Sequence, residues 1–148
     1  MNPKKNYIED NIKDNMFYSD YKIKFGQCDP GGIMYFAELF DLAHWAYEDM
    51  LLESLPENNY FTHDQIVIPL VHAEADYINP LKLHQNVTLK LTVGDIKTTS
   101  FQLITEFSDQ SENLSAKVKT VHVCVSKDSF DKTEIPNDLR EALSKHLG

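Results

Sequence analysis

One stretch of this sequence, Ile33 to Glu53, carries a sustained helical period, and the segments on either side of it carry a strand period. Projected at about 100° per residue, Tyr35, Phe36, Leu39, Phe40, Ala43, Ala46, Tyr47, Met50 and Leu51 share one arc. Glu38, Asp41, His44, Glu48 and Asp49 share the other. The pattern predicts one amphipathic helix of roughly 30 Å, at about 1.5 Å per residue, ending at "LPENN". A helix with a single apolar stripe needs a surface to lie on, and the rest of the chain supplies one.

Ahead of the helix, Tyr21, Ile23 and Phe25 alternate with Lys22 and Lys24, and the alternation stops at Gly26. Behind it, "IVIPLVHAEADYI" is β-branched and aromatic, with Pro69 marking an edge position or a bulge. "NVTLKLTVGDI" and "SFQLITEF" alternate cleanly, whereas "SAKVKTVHVCVS" is nearly continuous in apolar residues, as a central strand should be. Short turns at Gly94–Thr98 and Ser108–Asn113 make the last three an antiparallel meander. "IPNDLREALSKHLG" reads as a short terminal helix with Asn137 or Asp138 as N-cap. The expected fold class is α+β: an antiparallel five-stranded sheet with the long helix laid across one face. Residues 1–17 read as a polar tail and 18–148 as a single domain.

Composition narrows the function. With 148 residues, 42% hydrophobic and 25% charged, the chain can bury a core without disulfides or a metal. A net charge of −9 argues against nucleic-acid binding, and no apolar run approaches the roughly 20 residues of a membrane-spanning helix. The opening "MNPKKNYIEDNIKDN" lacks the apolar stretch of a secretory signal. Cys28 and Cys124 suit reduced thiols in a cytoplasm.

The candidate chemistry lies in "CDPGG", where the first strand meets the helix. Pro30 pushes Asp29 towards an extended conformation, and Gly31 and Gly32 are expected to turn the chain with positive φ. Beyond them a helix start offers unpaired N–H groups and the positive end of its dipole. Two readings stand side by side. Either Asp29 simply favours the dipole near the cap, or it attacks a carbonyl or activates water while the N–H groups hold the oxyanion.

Other arrangements are weaker. There is no G-x-S-x-G, no P-loop and no G-x-G-x-x-G, and the acid beside Cys28 raises rather than lowers a thiol pKa. The six histidines show no strong metal spacing, and no metal site is expected; His44 and Glu48 stand at i, i+4, where a surface hydrogen bond is the ordinary account. His72 and His122 lie in strands, where a satisfied core histidine is the default. Trp45, on the polar arc, marks a subunit contact or a pocket edge.

"FGQCDPGGIMYFAELFDLAHWAYEDM" resembles the motif of hotdog-fold acyl-CoA thioesterases of the 4-hydroxybenzoyl-CoA type, in which a sheet wraps around one central helix. "IPLVHAEADYINP" and "VHVCV" are similar to the subgroup that hydrolyses 1,4-dihydroxy-2-naphthoyl-CoA in menaquinone and phylloquinone synthesis. The resemblance implies Asp29 as the catalytic acid, and the Phe36 backbone N–H, with Gly32 close by, polarising the thioester carbonyl. His44 falls where the family reads the acyl ring, and Tyr35, Phe36 and His72 would suit a planar hydroxylated acid. Lys97 falls on the stretch that meets the CoA phosphates, one charge where several are usual. The position before Cys28 is Gln27 rather than the usual acid, and Glu48 stands as the fallback acid of a related branch. No cofactor is implied beyond coenzyme A as part of the substrate. The resemblance further implies a homodimer or homotetramer with shared sites. Fatty acyl-CoA or acyl carrier protein thioesters stay open as substrates, as does a noncatalytic acyl-thioester-binding or interaction module.

Overall fold

The computed structural model describes residues 15–148. Its strands are β1 (Phe17–Lys22), β2 (Ile66–Val67), β3 (Leu70–Tyr77), β4 (Asn86–Ile96), β5 (Ser100–Ser108), β6 (Leu114–Val123) and β7 (Val125–Ser126). Five form one antiparallel sheet in the order β1-β4-β5-β6-β3, and β2 pairs with β7 as a small ribbon. That ribbon goes unsignalled by alternation because two residues carry no period. The helices are α1 (Glu38–Ser54) and α2 (Asn137–Ser144).

Alternation along the strands becomes one apolar face. Val87, Leu89, Leu91 and Val93 of β4 are fully buried, joined by Phe101, Leu103 and Phe107 of β5 and by Ala116 and Val118 of β6. On this face α1 buries Leu39, Leu42, Ala43, Ala46, Tyr47, Met50 and Leu51. Each large side chain so buried is worth roughly 1.5–3 kcal/mol. Ala46 is fully buried under the helix, and a bulkier residue there would overpack the core at a cost of about 1–3 kcal/mol.

Three boundaries differ from the sequence expectation. The helix starts at Glu38 rather than Ile33, because the backbone ahead of it is already committed elsewhere: Met34 N–H donates to Leu81 O and Tyr35 N–H to Gln27 O, both at 2.7 Å. Tyr35 and Phe36 therefore stand exposed instead of continuing the apolar stripe. The first strand ends at Lys22; Ile23 is fully buried, but Phe25 enters a 3-10 turn (Phe25–Gln27) and is 81% exposed. At α2 the cap position belongs to Pro136. Asp138 instead accepts from Tyr60 Oη and, at 2.8 Å, from Asn58 Nδ2, tying the loop after α1 to α2.

β6 lies inside the sheet and β3 at its edge, with a bulge between Leu70 and His72 just after Pro69. Seven of the eight β3 residues are exposed. Of the expected tail, residues 1–14 lie outside the described residues, and Phe17 already belongs to β1.

Candidate active site

Between β1 and α1 the chain folds back on itself. Asp29 N–H donates to Ile33 O at 2.8 Å and Gly32 N–H donates to Asp29 O at 3.0 Å, closing a tight turn. The Asp29 side chain braces it: Oδ1 accepts the amides of Gly31 at 2.9 Å and Ile33 at 3.2 Å. Asp29 is exposed, and its second oxygen has no partner among the described residues. The glycines differ in role, correcting the expectation of positive φ at both. Gly32 alone occupies the left-handed region, at φ 77°, which disfavours any side chain. Gly31 is constrained by space instead, since a Cβ there would stand a tight 3.2 Å from Asp29 Oδ1 and the carboxylate would have to give way.

Gly32 offers no free donor, because its amide is spent on the turn and its carbonyl accepts from Leu83 N–H at 3.0 Å. The amides of Phe36 and Ala37, at the entry to α1, have no partner among the described residues, and that of Phe36 comes first along the chain from Asp29. The Phe36 carbonyl accepts the Tyr77 hydroxyl at 3.1 Å, fixing the peptide's neighbour on the β3 side. The Cys28–Met34 bridge and the Tyr35 to Gln27 bond hold the two arms of the loop together, and so keep Asp29 and Phe36 at one end of the molecule. Burial and, after it, the charge of Asp29 raise the Cys28 thiol pKa, which disfavours a thiolate nucleophile.

Further along α1 a cavity of about 260 Å³ opens between the helix and the sheet, lined by Phe40, His44 and Tyr47 above and by Ala73, Thr120 and His122 below. A second, of about 320 Å³, shares His44 and Tyr47 and is also lined by Tyr60, Phe61 and Phe130. His44 packs edge-on against Tyr47 and Phe61, while His122 stacks on Phe101 at 5.2 Å. His122 is 2% exposed, and burial, with the nearby His44 adding to it, pulls its pKa down to about 4.

Asp29 and Phe36 lie on the loop between β1 and α1 and His44 lies further along α1, while other expected residues lie apart. His72 pairs with Val121, in the register phase opposite to that of Thr120 and His122, so it lies on the sheet face away from α1. It is exposed and sits 3.8 Å from Glu74. Lys97 follows the end of the eleven-residue β4, whose start adjoins the Asp29 loop through Leu83, whose N–H donates to Gly32 O. At about 3.3 Å per residue that strand puts Lys97 more than roughly 30 Å from Asp29 in the same chain. Glu48 faces the Tyr21 side of the helix, and Tyr35 is exposed against Phe36 at 4.7 Å.

The pattern of the thioesterase-like superfamily matches residues 23–143, most of the chain. This chain belongs to the thioesterase-like superfamily. Within that superfamily it is similar to the curated 1,4-dihydroxy-2-naphthoyl-CoA hydrolase of Rippkaea orientalis, 32% identical over 82% of this chain and 90% of the relative. The corresponding hydrolase of Nostoc punctiforme is 30% identical over 79% of each. Among solved structures, a 1,4-dihydroxy-2-naphthoyl-CoA thioesterase from Synechocystis superposes with a TM-score of 0.81 at 26% identity, covering 87% of this chain and 96% of the other. The hotdog arrangement of this thioesterase-like chain, a five-stranded sheet around one long helix, is the fold the sequence motif implied.

One residue to which the sequence assigned no functional role stands out on this thioesterase-like scaffold. A satisfied core histidine is the expectation for His122, yet its Nδ1 is buried without a hydrogen-bond partner. Its alternation with Thr120 and Val118 signals an inward side chain; nothing local signals that a ring nitrogen goes unpaired there.

Proposed function

We propose that this protein is an acyl-CoA thioesterase acting on an aromatic acyl-CoA, with 1,4-dihydroxy-2-naphthoyl-CoA as its substrate. The observation that carries this reading is the unpaired Phe36 amide at the entry to α1, on the same loop as an exposed Asp29 with one uncommitted oxygen. The thioester oxygen accepts from Phe36 N–H, where the positive end of the helix also favours developing negative charge. Asp29 either attacks the carbonyl carbon or removes a proton from an attacking water. The C–S bond breaks, coenzyme A leaves as its thiol, and the hydroxyl of water ends on the acyl carbon as the free acid. No cofactor enters beyond the coenzyme A of the substrate. The aromatic walls around His44 and Tyr47 favour a planar acyl group, in keeping with the relatives' substrate.

We also propose a homodimer with shared sites. β3 exposes Leu70, Val71 and Tyr77 along an unpaired edge, which invites a second strand. Antiparallel pairing of two β3 edges would set the Asp29 end of one sheet beside the Lys97 end of the other. Lys97, too far from Asp29 within one chain, would then serve the site of the second copy. Two free cysteines are compatible with a reducing cytoplasm, and among the described residues no helix is long and apolar enough to cross a membrane.

The test is thiol release from a panel of aryl- and fatty-acyl-CoA and acyl carrier protein thioesters, with Asp29→Asn alongside. Turnover fastest with aryl-CoA and lost in the variant supports the reading. A tight acyl-CoA complex that is never hydrolysed would sink it in favour of a binding module.

A further inference from the structure

We infer that His122 and Tyr47 receive a ring hydroxyl of the acyl group in the cavity beneath α1. The inference rests on the thioesterase reading for where the acyl group enters.

Among the described residues, two buried side-chain polar atoms lack any hydrogen-bond partner, Tyr47 Oη and His122 Nδ1. They are not scattered. Both residues are 2% exposed, their rings lie 4.7 Å apart, and both line the same cavity. A buried polar atom left unpaired is costly, and native interiors keep few of them, so two at one cavity point to a missing partner.

The chemistry of the pair defines that partner. His122 Nε2 is already engaged with Thr120 Oγ1 at 2.9 Å, and burial keeps the ring neutral. A neutral imidazole has one donor and one acceptor nitrogen, so Nδ1 takes whichever role the Thr120 bond leaves. Tyr47 Oη can donate or accept. A hydroxyl, itself donor and acceptor, satisfies either tautomer; a hydrocarbon chain would leave both atoms unpaired. Among the other lining residues Phe40, Ala43, Leu70 and Ala73 are apolar and suit a ring, and Asp41 adds one exposed carboxylate.

Position agrees with this. Phe36, where the thioester carbonyl would bind, precedes His44 by eight residues, or about 12 Å at 1.5 Å per residue, shortened by side chains that lean back towards the helix start. A fused bicyclic acyl group fits that span. His44 is exposed, lines the cavity and packs edge-on against Tyr47, so a rotamer change there opens the way to both atoms.

The test compares wild type, His122→Phe and Tyr47→Phe in the full-length chain. Calorimetry, under anaerobic conditions, measures binding of 1,4-dihydroxy-2-naphthoate and 2-naphthoate. The wild type should favour the dihydroxy acid by about tenfold or more, and each variant should cut that ratio several-fold, as expected of a site built to bond a hydroxyl. The same ratio is then read in kcat/KM with the two CoA thioesters. Tyr47→Phe keeps the ring and loses only an unpartnered oxygen, so it decides the matter if His122→Phe does not fold. Equal affinities in the wild type, binding of neither acid, or a ratio unchanged in the folded variants overturns the inference and leaves the two atoms to a bound water. Hydrolysis without discrimination overturns this inference alone; discrimination between the acids without hydrolysis of any thioester overturns the thioesterase reading alone.

Discussion

Asp29 Oδ1 accepts the Gly31 amide at 2.9 Å, so the carboxylate proposed as the catalytic acid also holds its own turn together. The two duties separate by atom, since Oδ1 is bonded and the other oxygen is not. A carboxamide in place of the carboxylate would keep an Oδ1 acceptor. Asp29→Asn should therefore leave stability within about 0.5 kcal/mol of wild type, as is usual where no interaction is lost. Turnover should fall by roughly 10² to 10⁴-fold, the range for losing a positioned acid or base. Thermal melts beside thiol-release rates check this; a parallel fall in both would make Asp29 a structural residue only.

The glycine pair should respond unequally to the same substitution. Gly32→Ala puts a Cβ at φ 77° and should cost about 1–2 kcal/mol. Gly31→Ala meets only the Asp29 carboxylate, at 3.2 Å, and should act mainly by displacing it, lowering kcat more than melting temperature. Comparing the two variants in denaturant titrations and in rate assays separates the effects.

The role proposed for Phe36 is carried by its backbone, which makes the side chain a poor probe. Phe36→Pro deletes the N–H and should lower kcat by roughly 10² to 10³-fold, the usual loss of one oxyanion donor. Phe36→Ala retains the amide and should keep a far larger share of kcat. Equal losses in the two variants would count against the amide.

Stability should fall on acidification in two stages. His122 has its pKa pulled down to about 4 by burial, so between the ordinary histidine value of about 6.5 and about 4 the unfolded chain binds a proton that the folded chain refuses. Stability is thus full above about pH 6.5 and drains as pH falls through that window. Asp138 acts lower. Burial alone would raise its pKa, but bonds from Tyr60, Asn58 and Leu139 outweigh it and hold the carboxyl below its usual range. Its contribution is present above the unfolded carboxylate value of about 4 and is lost beneath it. Urea midpoints against pH should lose the first stage in His122→Phe and be blunted in the second by Asp138→Asn.

Light scattering should give at least twice the mass of one chain. Charging the exposed β3 edge with Val71→Lys should shift the mass towards one chain, as charged edges discourage strand pairing, and turnover should drop with it. A fully active monomer would refute the shared site.

Much of this protein is readable from periodicity, because burial of one face is a local property of alternating or helical side chains. Val87, Leu89, Leu91 and Val93 had to face a core together, and Leu39 through Leu51 had to supply a helical stripe to cover it. The turn at Asp29 was readable too, from a proline and two glycines in succession. What the chain could not announce locally was which distant partners would take its backbone groups. Leu81 claims the Met34 amide and Gln27 claims that of Tyr35, so the helix begins at Glu38 and the Phe36 amide is left unpaired at its entry. The register of β3 on β6 turns His72 away from α1, and the packing of Tyr47 against His122 strands two polar atoms beside one cavity. Those outcomes depend on contacts between segments far apart in the chain, which only the assembled sheet and helix bring within bonding distance.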